Sequence, residues 1–247
     1  MLSEKNAKVL GILGGLGPMA TVYFYEMITA HTKAYRDQDH IDIVISSRAS
    51  TPDRTAFVLG RSDENPLDVM MREAEKLVSY GADLISIPCN TAHYFYDALA
   101  ASLRVPIVNI IYETAMHIKR TGAKKIGILA TEGTVKSGAY EHMCRQVGIG
   151  CEAPGEEYQN IISDIIYGSI KQGKPVNMAD FDRVTEHMKK KGCDKLVLGC
   201  TELSLIKRDE ALDEIFVDSL EVLAHKTILL CGKEPIGFDA ELTADVC

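Results

Sequence analysis

The chain has no apolar run approaching the ~20 residues of a membrane-spanning helix, and none of its seven cysteines pair as C-x-x-C. The first absence argues against a membrane span; the second, with an odd cysteine count, leaves free thiols rather than a disulfide framework as the expected state. Acidic and basic residues are interspersed, with no block of either sign, and the formal net charge is −8. This argues against nucleic acid as a partner. No Gly/Ser- or Pro-rich linker divides the chain. The opening MLSEKNAKVLGILGG meets Gly-Gly and a strand pattern where a secretory signal would need a longer apolar core, so a cytoplasmic protein is expected.

What the sequence does contain is a repeat. KVLGILGGLGP (8–18) precedes ADLISIPCNTAH, whose thiol is Cys89, and KKIGILATEGT (124–134) precedes CDKLVLGCTELS, whose thiol is Cys200. Gly11 lies 78 residues before Cys89 and Gly127 lies 73 before Cys200, so one α/β unit recurs. In a duplicated fold the equivalent strand ends can face each other, which would set two thiols on opposite sides of one cleft. That geometry suits an acid and a base acting on opposite faces of one carbon.

With 247 residues and 46% hydrophobic content, two cores are affordable. Short β-rich runs at 9–13, 41–45, 83–87, 106–110, 125–129, 195–199 and 215–219 alternate with amphipathic stretches such as 63–80, where Leu67, Met70, Met71, Ala74, Leu77 and Val78 recur at three and four. The fold class expected is α/β, with two pseudo-symmetric three-layer lobes, mainly parallel sheets and a site in the cleft between them. Lobe one is placed at 1–112 plus 214–247 and lobe two at 113–213. The strand in IFVDS is expected to complete the first sheet, and Gly81, Gly122 and Gly192 to terminate helices.

Cys89 and Cys200 each end a buried-type strand and precede a Thr-containing triplet, Asn90-Thr91-Ala92 or Thr201-Glu202-Leu203, expected to open a helix whose N-terminus lowers the thiol pKa. A lone strand-end cysteine is most often a small buried hydrophobe, but recurrence at repeat-equivalent positions argues against that here. Cys144, Cys151, Cys193, Cys231 and Cys247 have no such setting and read as structural or surface thiols. A zinc site from Cys89, Cys200 and His93 has no local ligand spacing, so no metal is expected. His93 reads as a hydrogen-bonded helix residue.

Gly15-Leu16-Gly17-Pro18-Met19-Ala20 fits the dinucleotide pattern G-x-G-x-x-A, with Arg48 where a 2′-phosphate ligand might stand. Against NADP, the second strand ends in Ser46-Ser47 without a ribose-binding acid, and Pro18 removes an N–H from the turn. This loop and its counterpart, Ala130 to Thr134, read instead as cleft walls that hold a small carboxylate. Arg54 is either a bidentate carboxylate ligand or a solvated turn residue, and Lys171 is either a ligand or ordinary compensation of a helix dipole.

At these residues the sequence resembles the aspartate/glutamate racemase family, most closely its aspartate racemase branch. The resemblance covers essentially the whole chain: GILGGLGPMAT, PDRTAFVLG, PCNTAH, GILATEGTVKSG, IIYGSIKQGK and GCTEL. It implies a cofactor-independent enzyme, commonly a homodimer, with Cys89 and Cys200 as the two acid/base residues. It also implies Asn90, Thr91, Thr201 and, more weakly, Thr131 as ligands of the amino acid's α-carboxylate and amino groups, and Arg54 and Lys171 as holders of the distal carboxylate. The partner implied is an acidic amino acid. Gly-Gly-Leu in place of Gly-Gly-Met, and Arg48 in place of a small polar residue, depart from the family pattern and leave side-chain selectivity open between aspartate, glutamate and a broader range. Two other classes stay open on the residues alone: a non-catalytic two-lobe binding protein for acidic amino acids, and an NADP oxidoreductase.

Overall fold

The computed structural model describes residues 8–243, which form two α/β lobes. The first runs β1 (Leu10–Gly14), α1 (Pro18–His31), β2 (Ile43–Ser47), α2 (Arg54–Val58), α3 (Pro66–Ser79), β3 (Leu84–Ser86), α4 (Tyr96–Ser102), β4 (Ile107–Val108) and α5 (Ile110–Thr121). The second runs β5 (Lys125–Leu129), α6 (Glu132–Lys136), α7 (Ala139–Val147), β6 (Gly150–Glu152), α8 (Glu156–Ser163), α9 (Met178–Lys190), β7 (Lys195–Leu198), α10 (Ser204–Asp209), β8 (Phe216–Asp218) and α11 (Ser219–Leu230).

Both sheets are wholly parallel, with strand orders β2-β1-β3-β4 and β6-β5-β7-β8. The orders are the same once the repeat is applied, so the duplication in the sequence is a duplication of topology. The central strands are buried on both faces, as parallel strands covered by helices must be: every residue of β1 is buried. Gly81, Gly122 and Gly192 all take a left-handed backbone, with φ of 98°, 81° and 77°, where a side chain would be strained.

One expectation is corrected. The IFVDS strand does not complete the first sheet; β8 pairs with β7, Leu196 opposite Phe216 and Leu198 opposite Asp218, and is the second lobe's equivalent of β4. The helix that follows it does cross over. α11 packs on α1 of the first lobe, α5 packs on α7 of the second, and α5 and α11 pack on each other. Each lobe therefore lends its last helix to the other. A single apolar cluster runs through the exchange, from Leu10, Ile12 and Phe24 through Ile110 and Ile118 to Ile126, Val197 and Leu223. This shared core explains the missing linker; removing a ring such as fully buried Phe24 from it would cost about 3–5 kcal/mol. β6, with sequence Gly-Cys-Glu and no β-branched residue, had no strand signature in the sequence.

Candidate active site

Cys89 follows β3 and Cys200 follows β7, the equivalent strands of the two sheets. Both thiols are buried, 6% and 5% exposed, and both line one small cavity between the lobes, of about 350 Å³ including the space open to solvent. Arg54, Asn90, Thr91, Thr131, Lys171 and Thr201 line the same cavity. All eight residues singled out in the sequence are thus brought together. Leu16, Asp53, Thr55, Tyr167 and Glu202 complete the wall.

Hydrogen bonds across the lobes shape this cavity. Thr201 Oγ1 donates to the carbonyl of Pro88, the residue before Cys89, at 3.1 Å. The hydroxyls of Thr91, Thr131 and Thr134 form a triangle with sides of 2.9, 2.8 and 3.0 Å. Tyr167 donates to Thr55 Oγ1 at 3.2 Å, and burial pushes its phenol up to about 12. With their protons engaged, Thr91, Thr131, Thr134 and Thr201 offer a ligand mainly oxygen lone pairs, which suit an ammonium group.

The first thiol is set by a 3-10 turn, Thr91–Phe95. Ile110 N–H donates to His93 Nε2 at 3.2 Å, so Nδ1 carries the proton and donates to the Cys89 carbonyl at 2.9 Å. Burial lowers the His93 pKa and keeps the ring neutral, and it acts as a backbone brace, as the sequence suggested.

The second thiol departs from expectation. No regular helix starts at Cys200, because α10 begins only at Ser204. Burial, and then the neighbouring Glu202 carboxylate, hold the Cys200 pKa well above the ordinary thiol value, outweighing the opposing pull of Lys171. Sγ donates to Glu202 Oε2 at 3.0 Å. Glu202, 5% exposed, also accepts a hydrogen bond from Lys171 through Oε1. Burial pulls the Lys171 pKa down, but Glu202 and the thiols more than offset this, so the ammonium stays charged.

Glu202 was not singled out from the sequence. The available signal was an acid in the triplet after the second thiol, where the first repeat has Thr91. Its carboxylate packs directly on Gly17: a Cβ there would lie 2.2 Å from Oε1, so any side chain at this position would have to displace the carboxylate. An acid packed on the glycine loop is hostile to a pyrophosphate, which weakens the NADP reading.

Lys171 lies in a 3-10 turn, Ile170–Gln172, that follows a π-helical stretch, Asp164–Ser169, extending α8; such stretches recur at functional sites. Arg54 is anchored by the carbonyls of Leu16 (2.8 Å), Pro52 (3.0 Å) and Thr51 (3.3 Å), while its buried Nε–H has no partner among the described residues. An unpaired buried guanidinium donor is costly unless a ligand satisfies it. Arg48 is absent from the cavity wall; it bonds Ser50 and lies 3.7 Å from the Glu73 carboxylate. Cys144, Cys151, Cys193 and Cys231 lie elsewhere and are free thiols, and Cys247 lies outside the described residues. Among the described residues no three His, Cys, Asp or Glu side chains are grouped to hold a metal, and no helix is long and apolar enough to cross a membrane.

Comparison with known proteins agrees with the two-lobe fold. The model of the Asp/Glu/Hydantoin racemase family matches residues 13–227. The chain belongs to this family. An aspartate racemase from Picrophilus torridus superposes with a TM-score of 0.75 at 31% identity, over 93% of this chain and 96% of that one. A broad specificity amino-acid racemase of Bacillus subtilis is 29% identical over 234 residues, 89% of this chain and 96% of the relative. A glutamate racemase of Aquifex aeolicus is 28% identical over 176 residues, 66% of each. Members of this racemase family act on small amino-acid substrates.

Proposed function

We propose that this protein is a cofactor-independent racemase interconverting L- and D-aspartate, with Cys89 and Cys200 as the two proton-transfer groups. The observation that carries the reading is the meeting of two repeat-equivalent thiols in one buried cavity that also contains Arg54 and Lys171. An α-hydrogen is a very weak acid, so abstraction by a thiolate needs a dry site and stabilisation of the carboxylate as it becomes enediolate-like. Asn90 supplies an amide N–H for that carboxylate, while Thr91, Thr131 and Thr201 offer acceptors to the ammonium group. The unpaired Arg54 Nε–H and the Lys171 ammonium take the distal carboxylate. One sulfur removes the α-proton and the other delivers a proton to the opposite face, leaving their protonation states exchanged.

The resemblance adds a homodimer and a cytoplasmic setting to this reading; light scattering on the purified protein checks the first. A second reading, a broader substrate range, is favoured by one observation: Glu202 already neutralises Lys171, so the cavity has less excess positive charge than two free cations would give. Incubation with a panel of L- and D-amino acids, resolved on a chiral column, decides between the two. Aspartate turnover far above all others supports the first, and comparable rates for neutral or basic amino acids support the second. Cys89→Ala and Cys200→Ala should each abolish racemisation while leaving the protein folded; near-parental activity in either removes the two-thiol assignment.

A further inference from the structure

Asn90 sits beside the first thiol and is 2% exposed. Its amide is nearly symmetric in shape, so the neighbours decide whether oxygen or nitrogen is offered to a ligand. Those neighbours form a directional chain that crosses from one lobe to the other. Ser219, the first residue of α11, gives its only hydroxyl proton to the carbonyl of Leu198 at 2.7 Å. Its oxygen can then only accept, and Asn90 Nδ2 donates to it at 3.0 Å. On the other side, the Tyr140 hydroxyl in the first turn of α7 donates to Asn90 Oδ1 at 2.7 Å.

Neither neighbouring hydroxyl, Thr114 nor Ser219, has a proton left to give the phenol, which therefore acts here as a donor. Thr114 next to it gives its own proton to the carbonyl of Ile110 at 2.7 Å. Burial drives the Tyr140 pKa far up, so the group remains a neutral O–H donor. Neither Tyr140 nor Ser219 lines the cavity. What they leave is one Asn90 N–H uncommitted among the described residues and a carbonyl oxygen bonded to a residue outside the cavity wall. The reverse orientation would confront a substrate carboxylate with a carbonyl oxygen, a repulsive contact in a dry site.

We propose that Tyr140 is a positioning residue: by binding Oδ1 it locks the Asn90 amide with its N–H toward the α-carboxylate of the substrate. Ser219 holds the other end of the same lock. The inference rests on the racemase reading for the substrate, but the orientation of the amide is testable without one.

The experiment uses the full chain as parent, Tyr140→Phe, Ser219→Ala, Asn90→Ala and the Tyr140→Phe/Asn90→Ala double variant. The Asn90 side-chain amide signal, identified by NMR through its loss in Asn90→Ala, should exchange with solvent at least about tenfold faster in Tyr140→Phe. Where racemisation is measured, KM should rise about tenfold in Tyr140→Phe for every amino acid turned over, whatever its side chain, with a smaller change in kcat. Adding Tyr140→Phe to Asn90→Ala should raise KM no further. A general packing defect would persist in the double variant and would contradict the proposal, as would an unchanged amide signal in Tyr140→Phe. If Tyr140→Phe fails to fold, Ser219→Ala gives the same readouts from the other end. A parent inactive on all amino acids defeats the racemase reading, while amide exchange still decides whether Tyr140 holds Asn90.

Discussion

The Cys200 thiol donates to Oε2 of Glu202 at 3.0 Å, and the other oxygen of the same carboxylate accepts from the Lys171 ammonium. One buried acid thus ties the second thiol to a cation of the proposed side-chain pocket. The sign of its effect is definite: a carboxylate beside a thiol disfavours the thiolate and holds Cys200 as an acid in the resting protein.

Replacing this acid should release the thiol. In Glu202→Gln, tested with Cys89→Ala to remove the other cavity thiol and followed at the Cys200 peptide by mass spectrometry, alkylation of Cys200 should reach its half-maximal rate about one pH unit or more lower than with Glu202 present, because Lys171 would then face the thiolate alone. Racemisation by Glu202→Gln with both thiols intact should fall by about 10²-fold or more, the usual loss when a proton donor is mis-tuned. An unchanged or higher alkylation midpoint would show that Glu202 does not control Cys200.

Arg54 and Lys171 should behave differently despite sharing a charge. Arg54→Ala removes the Nε–H assigned to the distal carboxylate, together with the bonds to the carbonyls of Leu16, Pro52 and Thr51 that aim it, so aspartate turnover should lose about 2–5 kcal/mol while neutral substrates lose less. Lys171→Ala also strips Glu202 of its partner. It should therefore damage charged and neutral substrates together, and push the Cys200 thiol further up. Steady-state kinetics on both substrate classes checks this; equal losses in Arg54→Ala would assign Arg54 to the fold or to the α-carboxylate.

Behind the second thiol loop, Lys207 on α10 is paired with Glu221 on α11 at 2.6 Å, with Asp218 adjoining and Asp239 at 3.4 Å from the lysine. Burial, and then Asp218, raise the Glu221 pKa to about 7. A raised folded-state value means that the group's stabilising contribution is complete below its unfolded pKa of about 4.5 and lost as pH rises to about 7. Between pH 5 and 8, Glu221→Gln should therefore gain about 2–3 kcal/mol of stability relative to the parent, measured by urea unfolding. A difference that stays flat with pH would contradict this.

The residues that could be read in advance are those whose chemistry is local. The two thiols, the neighbouring Asn90, Thr91 and Thr201, and the β-rich runs of both sheets follow from motif and periodicity, and the repeat explains why they occur twice. The partner of β8 was not legible, because a short apolar strand fits either sheet and only the packing of α11 on α1 and α5 shows how the lobes exchange helices. The state of Cys200 is not legible for a similar reason. Its expected helix N-terminus is absent, and burial beside Glu202 dominates, a relation between side chains that depends on the folded loop.

The central claim is that two opposed thiols, rather than one swinging base, carry the proton. In heavy water, the proton removed by one sulfur stays there while the other delivers a solvent-derived deuteron to the opposite face. D-aspartate formed early from L-aspartate should then carry deuterium at the α-carbon while the remaining L-aspartate stays largely unlabelled, and the same should hold from the D side. Mass spectrometry of each enantiomer at low conversion makes the measurement, and substantial retention of the original α-hydrogen in the inverted product would contradict the account.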